Sequence, residues 1–189
     1  SNCHISIMNK SSSANIDRTV PDREEMIERV AALVPSLVER AEQVEKTRTI
    51  HPDTVQEFWD TQLWSIMKPR RYGGLELDYG MMVVVPDYIA RGCASTSWVY
   101  GNLVIHDWML AMWPPQGQDT VWKDNPRALM ASSLVANAGR ATPVTGGYVI
   151  SGRWPYCSGI DVSDWMMMGA MIQGDGPKRP VWLVVPREE

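Results

Sequence analysis

The stretch Gly152-Arg-Trp-Pro-Tyr-Cys-Ser-Gly-Ile-Asp-Val-Ser-Asp-Trp165 is rich in glycine, aromatic and hydroxyl side chains. A period-2 apolar pattern (Tyr148, Ile150) leads into it, and an apolar run over residues 165–172 leads out of it. Both flanks are therefore predicted to be strands. Between them, Tyr156-Cys-Ser-Gly159 predicts a tight turn that joins the two strands.

This turn has two interpretations. It could lay backbone N–H groups and a hydroxyl against a flat ligand, or it could be an ordinary hairpin with a packed tryptophan. Composition alone favours the hairpin, so the ligand site needs support from the rest of the chain.

Upstream of this stretch, apolar residues recur at helical spacing. They predict helices over residues 22–46, from 52 to before 69, and over 79–91, 98–113 and 116–123. Pro35 is expected to bend or divide the first helix, and Pro86 to kink the third. Thr19 or Asp22 is expected to cap the first helix, and Ser95-Thr-Ser97 offers a cap for the fourth.

After Arg127 the pattern predicts strands, over residues 128–135, 141–145, 147–152, 165–172 and 181–186. Because the helices come first and the strands second, the expected fold class is α+β, with an N-terminal all-helical domain followed by an antiparallel β-domain. We expect a mobile tail over residues 1–20, the helical domain over 21–126 and the β-domain over 127–189. No Gly-x-Gly-x-x-Gly follows a strand, which argues against a Rossmann dinucleotide site.

Composition excludes several functional classes. The net charge of −4 offers no basic stripe for nucleic acid. The longest apolar runs fall short of the roughly 18 residues of a membrane helix, and we expect no signal peptide. Three scattered cysteines (Cys3, Cys93, Cys157) suggest reduced thiols in the cytoplasm. Three histidines without metal-ligand spacing argue against a metal site. Nine tryptophans and twelve methionines suit a site for a flat aromatic ligand, or an ordinary core.

Two further sets of residues are candidates for binding. Asn102 and His106 share one face of a very apolar helix, where a histidine is usually a hydrogen-bonded core residue but can also line a pocket. Arg70 and Arg71, beside Tyr72, could bind phosphate or simply form a solvated loop.

Several segments in order resemble the flavin-dependent oxygenases of the acyl-CoA dehydrogenase superfamily. They are most similar to the oxygenase components of two-component phenol hydroxylases, such as 4-hydroxyphenylacetate 3-hydroxylase and the 3-hydroxy-9,10-secoandrostatrienedione monooxygenase. The resemblance is carried by Pro69-Arg-Arg-Tyr-Gly-Gly-Leu75, Cys93-Ala-Ser-Thr-Ser-Trp-Val-Tyr-Gly101, His106-Asp-Trp108, Ala131-Ser-Ser133, Gly146-Gly-Tyr148 and the stretch from Ser151 to Trp165.

The resemblance implies a subunit of three parts: a helical domain, a β-domain and a C-terminal four-helix bundle. This chain is expected to correspond to the first two parts, with an incomplete β-domain and without the bundle. The complete protein is expected to be a homotetramer. A separate flavin reductase would supply reduced FMN or FAD. The oxygenase would use O₂, through a C4a-hydroperoxide, to hydroxylate a phenolic or other aromatic substrate without a metal.

The resemblance also implies roles for individual residues. Tyr156 would pack on the isoalloxazine ring, and Ser158 would hydrogen-bond near its N5 atom. Cys157 and Gly159 complete this cofactor-binding turn, with Cys157 as a packed bystander. Three residues would act in catalysis: His106 would contact the phenol oxygen and favour phenolate, and Ser132 or Ser133 would face flavin or substrate. The side chains of Trp98 and Trp108 are expected to lie in the core.

Two alternatives remain open at this point. The chain could belong to an acyl-CoA dehydrogenase-like enzyme with bound FAD, whose carboxylate base would come from the bundle. It could also be a non-catalytic fragment that keeps only the fold and an oligomer interface. His106 and the Tyr-Cys-Ser-Gly turn favour the oxygenase.

Overall fold

The computed structural model describes residues 20–174 and 176–188. These residues form five α-helices followed by five β-strands, which confirms the expected α+β order. The helices are α1 (Arg23–Thr47), α2 (Pro52–Asp60), α3 (Met81–Gly92), α4 (Ala94–Ala111) and α5 (Pro115–Trp122). The strands are β1 (Met130–Ser133), β2 (Gly139–Val144), β3 (Gly147–Gly152), β4 (Trp165–Ile172) and β5 (Pro180–Pro186). The expected tail over residues 1–20 lies outside the described residues, apart from Val20.

Helix α1 begins where its cap predicts. The Glu25 N–H donates to Asp22 Oδ1 at 2.9 Å, which satisfies one of the free donors of the first turn. Pro35 does not divide the helix, contrary to one of the two expected outcomes. The helix packs along α3 and buries an apolar face that includes Met26 and Val30. This burial outweighs the loss of one backbone hydrogen bond at the proline.

Three aromatic residues join α2, the following turn and α4 in the helical core. The ring of Phe58 lies edge-on to Trp64 and to Tyr100, with centroids 5.2 and 5.3 Å apart. The Tyr100 hydroxyl donates to the Leu63 carbonyl at 2.8 Å, so this buried polar group has a partner. Helix α4 is therefore held from one side by the other helices.

Helix α4 differs from the prediction in two ways. It begins at Ala94, and the Ser97 hydroxyl donates to the Pro86 carbonyl of α3 at 2.6 Å instead of capping the helix. The expected burial of Trp98 and Trp108 is wrong, because their side chains are 68% and 38% exposed. Helix α4 carries apolar residues on nearly all of its faces, but the neighbouring elements of the described chain leave part of its surface uncovered.

The sheet is mixed, which corrects the expected antiparallel arrangement. Strand β4 pairs antiparallel with β5, but it pairs in parallel with β1 and, through its last residues, with the beginning of β2. Strands β2 and β3 form the predicted hairpin, through the turn at Gly146. Because β5 pairs with β4 along one edge, β1 (beside residues 165–168) and β2 (beside residues 171–172) lie one after the other along its other edge.

The reason for the parallel pairing is the segment of residues 153–164 between β3 and β4. These two strands are not neighbours in the sheet, so the stretch is a crossover and not the tight hairpin connection that the pattern predicted. It carries the chain back to the end of the sheet at which β1 begins, as a parallel pair requires. We refer to residues 153–164 as the crossover segment.

Within the described ranges, no helix is both long enough and apolar enough to span a bilayer.

The close approach of α1 and α3 can be tested at Gly92. An added Cβ would lie 2.6 Å from Leu37 Cβ and 2.9 Å from the Val34 carbonyl oxygen. Gly92→Ala is therefore expected to lower the free energy of unfolding by about 1–3 kcal/mol in urea titrations. Gly101→Ala is the matched control, because its Cβ would approach only Pro86 Cγ, at 4.0 Å. The control is expected to be neutral or slightly stabilising, and equal losses would contradict the tight crossing.

Candidate functional site

The crossover segment is anchored to the sheet by Trp154. Its indole N–H donates to the Gly169 carbonyl at 2.6 Å. Its ring fills the space beside Gly139, where any Cβ would lie 2.2 Å from the ring. The Arg153 N–H also donates to the Ala138 carbonyl, at 3.3 Å. The beginning of the segment is thus fixed against β2 and β4.

After this anchor, the chain bends sharply over α4. Tyr156 and Gly159 both adopt the left-handed conformation, with φ of 59° and 82°. A Cβ at Gly159 would come within 2.8 Å of Leu103 and 2.9 Å of Val99, so the turn rests directly on α4. Positive φ is unusual for tyrosine, and such strained residues often mark functional sites.

The side chains of this turn have different surroundings. Tyr156 is 92% exposed, so its ring is open to a ligand. The Ser158 hydroxyl accepts a hydrogen bond from the Trp98 indole at 3.1 Å. The Cys157 thiol is half-buried against the helical core, and this burial raises its pKa. The structure therefore gives Cys157 no feature of a reactive thiolate.

The backbone of the turn provides free hydrogen-bond donors. In the described part of the chain, the N–H groups of residues 156–159 have no acceptor. An edge of the flavin ring system carries carbonyl oxygens and ring nitrogens that accept hydrogen bonds. Free N–H groups, a hydroxyl and an exposed aromatic ring therefore fit the flavin that the resemblance implies.

His106 lies where α4 meets β1. It is only 4% exposed, and its Nδ1 lies 3.0 Å from the Met130 carbonyl oxygen. Because a carbonyl can only accept, we assign the proton of the neutral ring to Nδ1. Nε2 has no partner among the described residues and is not one of the fully buried unpartnered atoms. It is therefore the nitrogen open to a ligand, and burial lowers the pKa of the ring and favours the neutral form.

The two serines of β1 are not equivalent. The Ser133 hydroxyl is buried and donates to the Pro155 carbonyl at 2.7 Å, which ties β1 to the crossover segment. Ser132 points to the opposite side of the strand and is half-buried. Its hydroxyl has no partner in the described ranges, so Ser132 is the better candidate for contact with a ligand.

Two of the other candidates, Asn102 and Arg71, are already engaged within the protein. The Asn102 amide donates to the Trp98 carbonyl in its own helix, at 2.8 Å. The Arg71 guanidinium donates to Gln118 and stacks on Tyr72, 4.8 Å from the ring centroid. These contacts favour a structural role for Arg71 over phosphate binding.

No group of three metal-ligating side chains occurs among the residues that the structure describes.

Next to His106 lies a buried ion pair that the sequence analysis missed. Lys68 and Asp107 are each only 1% exposed, with Lys68 Nζ 3.7 Å from Asp107 Oδ2. The ammonium donates to the carbonyls of Pro126 and Ala128 at 2.7 and 3.4 Å. Burial raises the pKa of Asp107 to about 7, although Lys68 opposes this shift. The signal in the sequence was a carboxylate within an almost wholly apolar helix.

Comparison with known proteins places this geometry in context. The sequence matches the family described as "Acyl-CoA dehydrogenase, N-terminal domain" over residues 21–121, more than half of the chain. It is 34% identical over 166 residues to the oxygenase subunit HsaA of a flavin-dependent monooxygenase from Rhodococcus jostii (strain RHA1), which covers 86% of this chain and 43% of that protein.

Two other proteins show the same likeness. The oxygenase component of the FADH(2)-dependent resorcinol hydroxylase from Rhizobium sp. (strain MTP-10005) is 32% identical, over 87% of this chain and 40% of that protein. XiaF from Streptomyces sp., solved in complex with FADH2 and glycerol, superposes with a TM-score of 0.81 at 33% identity, over 88% of this chain and 42% of that one. The chain thus spans less than half the length of these relatives.

The packing of the turn on α4 can be tested with two glycines. Gly159 and Gly146 have similar φ, 82° and 86°, but an added Cβ meets α4 only at Gly159. Both alanine variants should lose about 1–2 kcal/mol through the left-handed backbone. Gly159→Ala is expected to lose about 1–3 kcal/mol more, measured by chemical denaturation. Equal losses would show that the turn does not rest on α4.

The buried carboxylate predicts a pH-dependent stability. The pKa of Asp107 is raised from 3.8 to about 7, so between these values the folded chain binds more protons than the unfolded chain. The contribution of this carboxyl to the free energy of unfolding is therefore fully present below pH 3.8 and is lost as pH rises through 7. The total loss is roughly 4 kcal/mol at most. Asp107→Asn should remove this part of the slope in urea unfolding between about pH 4 and 8. Parallel pH profiles of the two proteins would contradict the assignment.

Proposed function

The chain belongs to the acyl-CoA dehydrogenase family, and on this premise we propose that it is the helical and β-domain part of a flavin-dependent monooxygenase. The complete protein would be the oxygenase component of a two-component system. It would use reduced FMN or FAD from a separate reductase to hydroxylate a phenolic substrate. Free thiols at Cys93 and Cys157 agree with the cytoplasmic location that we propose.

The observation that carries the proposal is the crossover turn above α4. It presents an exposed tyrosine ring, a hydroxyl and four backbone N–H groups that have no acceptor among the described residues, all on one short bend. Trp98, which binds Ser158, and His106 are eight positions apart on α4, or about 12 Å along the helix axis. That distance suits a flavin held at the turn with an aromatic substrate beside it.

Flavin in its reduced form, when bound, would activate O₂ for the hydroxylation of an aromatic ring. The residues of this chain would bind, orient and shield the reactants. The N–H groups of the turn and Ser158 would hold the flavin edge, and Tyr156 would cover the ring and exclude water. The N–H groups have no partner among the described residues, the Tyr156 ring is exposed, and the Ser158 hydroxyl accepts from Trp98 but keeps its own proton for a ligand.

His106 would act on the substrate through Nε2. The neutral ring, with its proton on Nδ1, leaves Nε2 as an acceptor for the phenol hydroxyl, which favours the more reactive phenolate. Ser132 would offer a second hydrogen bond, while Ser133 holds β1 to the crossover segment. A ring of low pKa accepts a proton less readily than one of ordinary pKa, so we expect His106 to polarise the phenol mainly as a hydrogen-bond acceptor.

An anaerobic titration followed by fluorescence tests the proposal. The chain is expected to bind reduced FMN, and Ser158→Ala should weaken binding about 5- to 10-fold through the loss of one hydrogen bond. Ser151→Ala is the matched control, because Ser151 is exposed on β3 outside the turn, and it should leave binding unchanged.

Other outcomes would contradict the proposal. Tight binding of oxidised FAD would favour the acyl-CoA dehydrogenase-like alternative. A folded chain that binds neither flavin would show that these residues do not hold the cofactor by themselves, as a non-catalytic fragment would behave.

A further inference from the structure

The lead-in to strand β1, residues 126–129, is bonded through the Leu129 N–H to Asp164, and two further side chains bind the backbone in and just after it. The Lys68 ammonium binds the carbonyls of Pro126 and Ala128. Two residues after Ala128, the Met130 carbonyl meets Nδ1 of His106 at 3.0 Å. Any shift of the lead-in would therefore move the atom that sets the tautomer of His106.

Helix α4 is tied to the same lead-in through two consecutive residues. His106 reaches Met130 directly, whereas Asp107 lies 3.7 Å from the Lys68 ammonium. Consecutive side chains leave a helix about 100° apart, because a turn holds 3.6 residues. The two attachments therefore restrain the backbone at the beginning of β1 from different directions. Lys68 joins Asp107 to the carbonyls of the lead-in.

Stability is a poor explanation for this ion pair. The 3.7 Å between Lys68 Nζ and Asp107 Oδ2 is too long for a direct hydrogen bond. Neither oxygen of the Asp107 carboxylate has a hydrogen-bond partner in the described ranges, although both are buried. Desolvating two charges is expensive, and an apolar pair of similar volume is often as stable or more so. What the pair provides is a fixed position for the backbone that it contacts.

We infer that Lys68 and Asp107 are positioning residues, which hold the β1 lead-in so that the Met130 carbonyl keeps His106 in its Nδ1–H tautomer with Nε2 free. The use of Nε2 toward a phenol rests on the proposed function. The tautomer itself does not, because it can be measured in this chain without flavin or substrate.

The test is ¹⁵N NMR of the histidine side chains, in which the two neutral tautomers give distinct nitrogen shifts. A His106→Gln variant identifies the His106 signals. The double variant Lys68→Met with Asp107→Leu removes both charges together, so that neither is left buried and unpaired. We expect it to remain folded by circular dichroism while the His106 signals shift from the Nδ1–H pattern toward a mixture of tautomers. A folded double variant with an unchanged pattern would overturn the inference.

A matched control removes a different pair. Arg40 and Glu57, 2.6 Å apart, join α1 and α2, and neither contacts the lead-in. The double variant Arg40→Met with Glu57→Leu should leave the His106 tautomer unchanged. An equal shift there would indicate general loosening and would also overturn the inference.

Asp107→Asn provides a second route if the first double variant does not fold. It keeps the size of the side chain and leaves Lys68 bound to its carbonyls. It should therefore produce a smaller shift of the His106 signals in the same direction. An unchanged Nδ1–H pattern in this variant would count against the inference. Because all spectra are recorded without flavin, the result is separate from success or failure of the flavin titration.

Discussion

The burial of helix α4 between the other helices and the sheet is the constraint on which the rest of the structure depends. On one side Tyr100 packs against Phe58 and Trp64 and bonds to the Leu63 carbonyl. On another, His106 bonds to β1, and the crossover segment rests on Leu103. Because one helix contacts both layers, a change in its position would alter the core and the candidate site together.

The candidate site follows from how the crossover segment is attached. Trp154 anchors the segment to the sheet, and Gly159 packs the other end of the bend directly against α4. The bend between these two points has left-handed residues and unpaired N–H groups, so its donors are available for a ligand. The same segment makes the sheet mixed, since it reverses the chain after β3 and brings it to the beginning of β1, where β4 starts in parallel with β1. Fold and proposed flavin contact therefore have a common cause.

The buried charges illustrate how stability and position can conflict. The environment of Asp107 raises the pKa of its carboxyl, so the folded chain disfavours the charged form at this place. Yet Lys68 binds two backbone carbonyls just before β1, the strand that carries the partner of His106. A buried pair of this kind is weak evidence for stability, which agrees with the positioning role that we infer for it.

Local patterns in the sequence were enough to predict the order of the elements, most of their boundaries and the resemblance to flavin-dependent oxygenases. These depend on local periodicity, on caps such as Asp22 and on motifs that are contiguous in the chain. Four features were visible only in the folded chain: the parallel pairing of β4, the exposure of Trp98 and Trp108, the difference between Ser132 and Ser133, and the Lys68–Asp107 pair. Each of these depends on contacts between residues far apart in the chain, and apolar periodicity predicts that a face will be buried without showing which neighbour will cover it.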